Sequence, residues 1–576
     1  MASQSHEGDE TSPLLGVREG SIINYLSDNE DRVTIRTSNP PSVKSNSDDL
    51  VEEEDLVAKR LNGASLVTLC LGLYIGVSLS SLDSSIVATI YAQIGTEFKR
   101  SNEIIWIATS YVLSYTALQP LYGRISDIFG RKNALLFAAS IFFLGSFLCG
   151  AAVGLWSLVA ARVIAGIGGG GINTVTSVIV SDLVPLRKRG KFQGFGNIAY
   201  GLGSVIGAPL GGFITDTIGW RYCFYINLPL LLVTLYAGAY LLTNYNLAEQ
   251  PQESLRTKLK KIDYLGALTI VTGVICFLLA TSLGGNLRPW SDPLVVTCLV
   301  VSAILAVTFC IVEKKFAANP LMPWHIVTSR TPLACSLTNF WGMMGTTSMV
   351  YIMPLYFQGL LGYSPTQAGL YYLPKVIAVS VGSVLAGIYM ERTGEYRTIT
   401  IISSFGSFLA MTGFAMWTPN TSFTFILICL LLDGFTMGAI LTTTLIAMLS
   451  CVGPKGKSEV MGTVGKMATI TSMSYLFRSA GSVIGISSTS AIFQAVVKNI
   501  LTERITGPDA AKYIEIARKS MTEVRQLLPA DVLAIVLDTY QVALRYTFLA
   551  CVGIATLAVF SSLFIQRFEL QTKVRK

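Results

Sequence analysis

The feature that most constrains this chain is a succession of apolar stretches, each near twenty residues long, divided by short charged loops. About 20 apolar residues, each rising about 1.5 Å, cross the hydrocarbon of a bilayer as a helix. No water is available there, so each segment must satisfy its own backbone N–H and C=O groups, and a helix does so. Fourteen spans are placed, at 66–90, 104–122, 133–153, 155–180, 192–215, 222–243, 263–283, 294–312, 331–356, 367–390, 398–417, 423–449, 467–492 and 545–565. With 576 residues, 51% hydrophobic and 14% charged, the chain is too apolar for a soluble protein and too long for a single span. The expected class is an all-α polytopic membrane protein.

Loop charge orients it. With the N-terminus inside, the inner loops hold Arg124, Arg131, Lys132, Arg187, Lys188, Arg189, Lys191, Arg256, Lys258, Lys260, Lys261, Lys314, Lys315, Arg330, Arg392, Arg397, Lys455, Lys457 and Lys466. The short outer loops hold only Lys99, Arg100, Arg221 and Arg288, which puts both termini in the cytosol. The net charge of +8 is therefore an orientation signature and not a nucleic-acid surface. The cysteines lie in or beside spans, except Cys451 in a basic loop, and show neither a disulfide frame nor zinc-ligand spacing, so no metal is implied. His6 and His325 fall in a tail and a loop, unsuited to a histidine proton relay.

Residues 1–60 are rich in Ser, Asp, Glu and Asn and lack the basic start and apolar run of a signal peptide, which reads as a disordered cytosolic tail. Within it, Glu10-Thr11-Ser12-Pro13-Leu14-Leu15 resembles the acidic dileucine signal read by sorting adaptors on proteins bound for lysosomes or vacuoles. The remaining organisation is an N-terminal six-helix lobe at 61–243, a linker with two extra spans at 244–330, a C-terminal six-helix lobe at 331–566 and a tail at 567–576. A long outer loop at about 493–544 has helical spacing of apolar residues and is expected to form an amphipathic helix pair on the outer face.

A loop is repeated. Gly123-Arg124-Ile125-Ser126-Asp127-Ile128-Phe129-Gly130-Arg131-Lys132 has a degraded copy in Gly387-Ile388-Tyr389-Met390-Glu391-Arg392-Thr393-Gly394, at the same place in each half. Duplication of a helical bundle is a common plan for secondary transporters. Gly203-Ser204-Val205-Ile206-Gly207-Ala208-Pro209-Leu210-Gly211-Gly212 sets small residues four apart for close helix packing, with a proline that frees a carbonyl. Trp220-Arg221-Tyr222-Cys223-Phe224-Tyr225-Ile226-Asn227-Leu228-Pro229 opens span 6.

Together these resemble the major facilitator superfamily, specifically its fourteen-span drug-proton antiporter branch. Gly123, Asp127, Gly130, Arg131 and Lys132 match the family's loop pattern G-x-x-x-D-R-x-G-R-[KR], with Ile128-Phe129 replacing its Arg-x pair. The resemblance implies that Asp127 latches onto a helix of the other lobe. Gly207, Pro209 and Gly211 match the antiporter motif G-x-x-x-G-P-x-x-G-G, in which Ala208 displaces the Gly-Pro pair. Gating is thus assigned to Gly123, Asp127, Gly130, Arg131, Gly207, Pro209 and Gly211. The 220–229 stretch is similar to W-R-[WY]-x-F-x-[IV]-N-x-P, the most branch-specific match.

Ionisable residues inside a membrane are costly and functional by default. Five stand within spans: Asp83, Arg162, Lys375, Asp433 and Arg478. Asp83 lies in Leu82-Asp83-Ser84-Ser85-Ile86-Val87, similar to the family's L-D-x-T-I-V. Arg162, with Gly166 and Gly168, resembles R-x-x-Q-G-x-G, a motif tied to proton transfer, although Ala165 replaces the Gln. Loop counting places Asp83 and Arg162 at similar depth, where they can pair, as a coupling site or as a structural ion pair; Asp433 has no assigned partner. A carboxylate there can hold a proton and can attract a cation, so Asp83, Arg162 and Asp433 are the candidate substrate and proton-coupling residues.

The fourteen-span form with a dileucine tail, Glu10, Leu14 and Leu15, resembles fungal vacuolar transporters of basic amino acids. That implies exchange of cytosolic Lys, Arg or His for lumenal protons across the vacuolar membrane. A pH difference of about 1.5 units supplies roughly 2 kcal/mol, or about thirtyfold accumulation. Against a cation cage stands the balance of two acids and three bases. A plasma-membrane multidrug antiporter, with Tyr111, Tyr115, Phe340, Trp341, Tyr351, Tyr371 and Tyr372 lining an apolar pocket, is the alternative in this class; a non-transporting amino acid sensor is another. The partners expected are a cationic amino acid, protons, the lipid bilayer and a sorting adaptor. No G-x-S-x-G elbow, P-loop or metal spacing is present, so neither an enzyme nor a cofactor is expected.

Overall fold

Fourteen long helices follow one another in a computed structural model, which describes residues 65–570 apart from 100–102, 246–253, 285–287, 318–319, 323, 454–459, 462–463, 507–508, 520–523 and 569. The dileucine residues Glu10, Leu14 and Leu15 lie outside the described residues. The helices are α1 (Leu66–Glu97), α2 (Ile105–Phe129), α3 (Arg131–Gly150), α4 (Leu155–Leu183), α5 (Leu186–Thr217) and α6 (Tyr222–Leu241). An antiparallel pair follows, α7 (Tyr264–Leu283) and α8 (Pro293–Lys315), and then α9 (Arg330–Pro354), α10 (Pro365–Thr393), α11 (Arg397–Ala415), α12 (Phe423–Ser450), α13 (Val464–Arg504) and α14 (Ala530–Leu563). Among the described residues, twelve helices are long and apolar enough to cross a membrane. The other two long ones, α2 and α9, reach 25 residues each with a more polar composition.

Helix ends follow local chemistry. Ser364 and Gln367 form a reciprocal capping box at the start of α10. Asp263 and Asp292 cap α7 and α8, the latter followed by Pro293 at the first helical position, where a missing N–H costs nothing. Both copies of the repeated loop carry a glycine with positive φ just past a helix end, Gly130 at 98° and Gly394 at 69°, a region side chains rarely enter.

The N-terminal lobe buries Leu73, Leu135, Phe142, Ile172 and Leu231 around α4, while the C-terminal lobe buries Met349, Phe414, Phe493, Tyr540 and Phe548. The extra pair stands outside both: α7 leans on α2 and α13, and α8 packs on α7 with Val300, Ile304 and Val307 exposed. Glu313 at the end of α8 accepts from the backbone N–H of Leu321 and Met322 at 3.0 and 3.2 Å, organising the entry to the second lobe.

In the 493–544 segment, where an amphipathic helix pair is expected, the neighbouring long helices take up both ends. α13 continues unbroken to Arg504 and α14 starts at Ala530, leaving only Ala510–Lys519 and Val524–Leu527 as separate short helices. The reason is burial: Val497, Leu501, Ala517, Val524, Leu528, Val536 and Tyr540 join the C-terminal core instead of facing a membrane surface.

Candidate functional site

The face bearing Gly123–Lys132 and Gly387–Gly394, here the basic face, is where the lobes touch. Arg187 at the start of α5 donates to the backbone carbonyls of Glu391 and Arg392 at 2.7 and 2.9 Å, closing on the C-terminal end of α10. Carbonyls at a helix C-terminus lack intrahelical partners and carry partial negative charge, so a guanidinium suits them. Lys191 approaches Glu391 at 3.9 Å. Gly190 on α5 and Gly387 on α10 bring backbone against backbone, and Gly123 on α2 packs against Ser472 and Ala468 of α13. Further in, Asn197 donates to Ser383 at 2.7 Å and Ser479 donates to Gln119 at 3.0 Å. Among the described residues, every hydrogen bond between the two six-helix lobes lies from these mid-depth pairs toward the basic face.

Beyond that seal lies a cavity of about 270 Å³ between the lobes, lined by α1, α2, α4, α5, α9, α12 and α13. Its polar walls are mainly Ser80, Gln119, Asn173, Gln193 and Asn197, and its rings are Phe192 and the tyrosines Tyr74, Tyr111, Tyr115, Tyr200 and Tyr475. Tyr111 and Tyr115 stack with centroids 5.8 Å apart, and Asn173 donates to the Tyr115 hydroxyl at 2.7 Å. Arg478 is the charged side chain in the lining, which holds no carboxylate among the described residues.

Two of the candidate coupling residues, Asp83 and Arg162, sit beside this cavity behind Tyr111. Arg162 Nη1 meets Asp83 Oδ2 at 2.5 Å, each side chain 1% exposed. Asn227 donates to Asp83 Oδ1 at 3.2 Å, and Arg162 Nε donates to the carbonyl of Ile107 at 3.3 Å. The guanidinium also lies 4.2 Å from the centroid of Tyr111, so one aromatic ring separates the pair from the cavity. Asn227 belongs to the span-6 signature quoted above, which supplies a partner to Asp83 and so ties that motif to this site. The place left by Ala165 is thus covered: Arg162 turns to Asp83 and to the Ile107 carbonyl.

In the second lobe, Lys375 Nζ lies 2.7 Å from Asp433 Oδ2 with both side chains buried. The contact is ionic more than directional, because neither carboxylate oxygen of Asp433 has a hydrogen bond of good geometry. Sequence reasoning singled out both residues without joining them. Each lies about ten residues in from the face opposite the basic one, a matching depth that was there to be read.

The gating residues separate into two groups. Arg131 is fully buried and binds three groups: Nε donates to Asp182 at 2.8 Å, and Nη1 donates to Ser126 at 2.8 Å and Asp127 at 2.6 Å. Tyr245 adds a hydroxyl to Asp182 at 3.1 Å. Asp127 therefore bonds within its own lobe, and the contact across the lobes beside it is made by Gly123. Gly207 and Gly211 face α1, where added Cβ atoms would meet the Leu82 carbonyl at 2.9 Å and Thr89 Oγ1 at 2.5 Å. Ser85 donates to the Ser204 carbonyl at 2.7 Å across the same contact, while Pro209 is exposed on the other side of α5. Asp182 and Arg187 escaped the sequence reading because each looks like an ordinary loop-end residue until its partner is known.

Two lobes of six helices around a polar cavity, sealed at one end by contacts that can part, define a secondary carrier of small molecules. Residues 73–501 match the family model described as the Major Facilitator Superfamily. The chain is 38% identical over 513 residues to a multidrug resistance protein, fnx1, of Schizosaccharomyces pombe, covering 88% of this chain and 94% of that one. It is 36% identical over 499 residues to a vacuolar membrane amino acid uptake transporter, fnx2, of the same yeast, covering 86% and 84%. The solved structure of the human organic anion transporter MFSD10 superposes with a TM-score of 0.54 over 86% of this chain and 99% of that one, at 14% identity. This chain belongs to the major facilitator superfamily, and it is a membrane transporter and not an enzyme.

Proposed function

We propose that this carrier takes basic amino acids from the cytosol into the vacuole in exchange for protons. The observation that carries the reading is a polar, tyrosine-lined cavity with the buried Asp83–Arg162 pair behind one of its rings, matched in the other lobe by a second buried pair, Lys375–Asp433. Protonation of either carboxylate would weaken its hold on the partner cation and free that cation to repack. A two-lobed structure can turn such a local change into a switch of access. The positive-inside rule assigns the basic face to the cytosol, so the sealed conformation is the one that meets the acidic lumen. In this reading the lysine or arginine side chain lies against tyrosine faces rather than in a carboxylate cage. The likeness to a yeast vacuolar amino acid uptake transporter supports the substrate class and the membrane.

Uptake of labelled lysine into ATP-energised vacuolar vesicles, from cells with and without the protein, tests this. Protein-dependent uptake that a protonophore removes is expected; its absence, with the protein present in the membrane, refutes the reading. The second reading is proton-coupled multidrug export at the plasma membrane, favoured by the tyrosine rings and by the 38% identity to a multidrug resistance protein. Location of a tagged chain separates the two.

A further inference from the structure

Arg478 is treated differently from three other buried cations of this molecule. Arg131, Arg162 and Lys375 each have a carboxylate. Arg478, near mid-depth on α13 and 6% exposed, has none among the described residues. Its Nε donates to Asn339 Oδ1 at 3.2 Å, its Nη2 donates to the carbonyl of Leu441, and Nη1 has no hydrogen-bond partner among the described residues. Asn339 is itself held, accepting from Thr444 Oγ1 at 3.0 Å and donating to Ser474 Oγ at 3.4 Å. The guanidinium is thus fixed by neutral groups on two helices, with its Nη edge left over and the side chain lining the cavity.

An uncompensated buried cation is unfavourable unless something completes it. A planar guanidinium offers two parallel N–H groups matched to a carboxylate, which a lysine ammonium does not. We propose that Arg478 is a carboxylate-binding subsite, and that the transported solute carries a carboxylate that docks on the Nη1–Nη2 edge while the rest of it extends toward the tyrosines of the N-terminal lobe. Asn339 is a positioning residue for that edge. The class of ligand is a small zwitterion or anion, such as an α-amino acid; an amine without an acid group leaves Arg478 unmatched. This deepens the amino acid reading above and rests on it for the amino end of the ligand.

The test is ligand-induced thermal stabilisation of the purified full chain in detergent, with lysine, lysinamide and lactate as probes. Lysine is expected to bind about tenfold to hundredfold tighter than lysinamide, as a charge-assisted bidentate pair provides. Arg478→Gln should bring that ratio close to one, and Arg478→Lys, which keeps the charge but loses the fork, should leave it in between. Should Arg478→Gln not fold, the wild-type ratio and the Arg478→Lys variant decide. Equal binding of lysine and lysinamide overturns the subsite while leaving amino acid transport standing. Arg478-dependent binding of lactate without binding of lysine upholds the subsite and overturns the amino acid reading. Binding of none of the three overturns both.

Discussion

Gly387→Ala should unseat the seal at the basic face. A Cβ added there stands 2.5 Å from both the carbonyl carbon of Gly190 and the amide nitrogen of Lys191, and 2.6 Å from the Gly190 oxygen. Non-bonded heavy atoms settle at about 3.5 to 4.0 Å, so α5 and α10 must separate locally by about 1 Å. All three atoms are backbone, and no rotamer change relieves them. Overpacking of this kind costs about 1–3 kcal/mol. Only conformations in which these helices touch carry the cost, so the balance shifts about 5- to 150-fold toward the form open at the basic face. Spin labels on Lys188→Cys and Arg392→Cys, both exposed beside the seal, read the change as a longer-distance population in dipolar spectroscopy. Gly190→Ala should act more weakly, because its nearest clash is the flexible Cε of Met390 at 2.6 Å. Gly369→Ala, on the same helix with nothing within 4 Å, is the control. An unchanged distance distribution in Gly387→Ala, or an equal change in Gly369→Ala, refutes the argument that backbone contact closes this end.

Asp83→Asn should abolish proton-driven uptake and lower stability by about 3–5 kcal/mol, because Arg162 is left buried without its counter-charge. Adding Arg162→Gln should restore the melting temperature but not uptake, whereas recovery of both would make the pair purely structural. Arg187→Ala removes two bonds to the end of α10 at a cost of about 1 kcal/mol, and the same spin labels should report a smaller shift than Gly387→Ala. A larger one would place the seal in those hydrogen bonds. On the opposite face, the Trp220 indole N–H and the Arg221 guanidinium beside Glu97 hold its carboxyl below its ordinary range, against the opposing pull of burial. A depressed carboxylate contributes stability above the ordinary value of about 4.3 and loses it as pH falls through the lower folded value. Wild type should therefore exceed Glu97→Gln in melting temperature by a constant margin from pH 7 to about 5, and the two should converge below about 4. A gap that closes near pH 6 contradicts this.

Much of the fold was legible because a bilayer permits few choices. Spans at 66–90, 155–180 and 423–449 fall within α1, α4 and α12, since backbone satisfaction and hydrocarbon thickness prescribe both type and length. The turn glycines Gly130 and Gly394 were legible for a similar reason, as both need a positive φ. The 493–544 segment holds two short helices, Ala510–Lys519 and Val524–Leu527, but their packing on the C-terminal core was not legible, because amphipathic spacing says that one face is buried without saying against what. The site was half legible: burial marked Asp83, Arg162, Lys375, Asp433 and Arg478, but not which of them pair.

The sequence by itself determined the class, the places of the long helices and the list of buried charges, because these follow from the local match between residue chemistry and an apolar medium. Only the tertiary structure decided that Lys375 joins Asp433, that Asn227 completes Asp83, that Arg187 rather than Asp127 bonds across the lobes, and that Arg478 lines the cavity without a carboxylate. Each of these is a pairing between helices far apart in the chain, and ion pairs and hydrogen bonds depend on distances of a few ångströms that spacing along a chain does not encode.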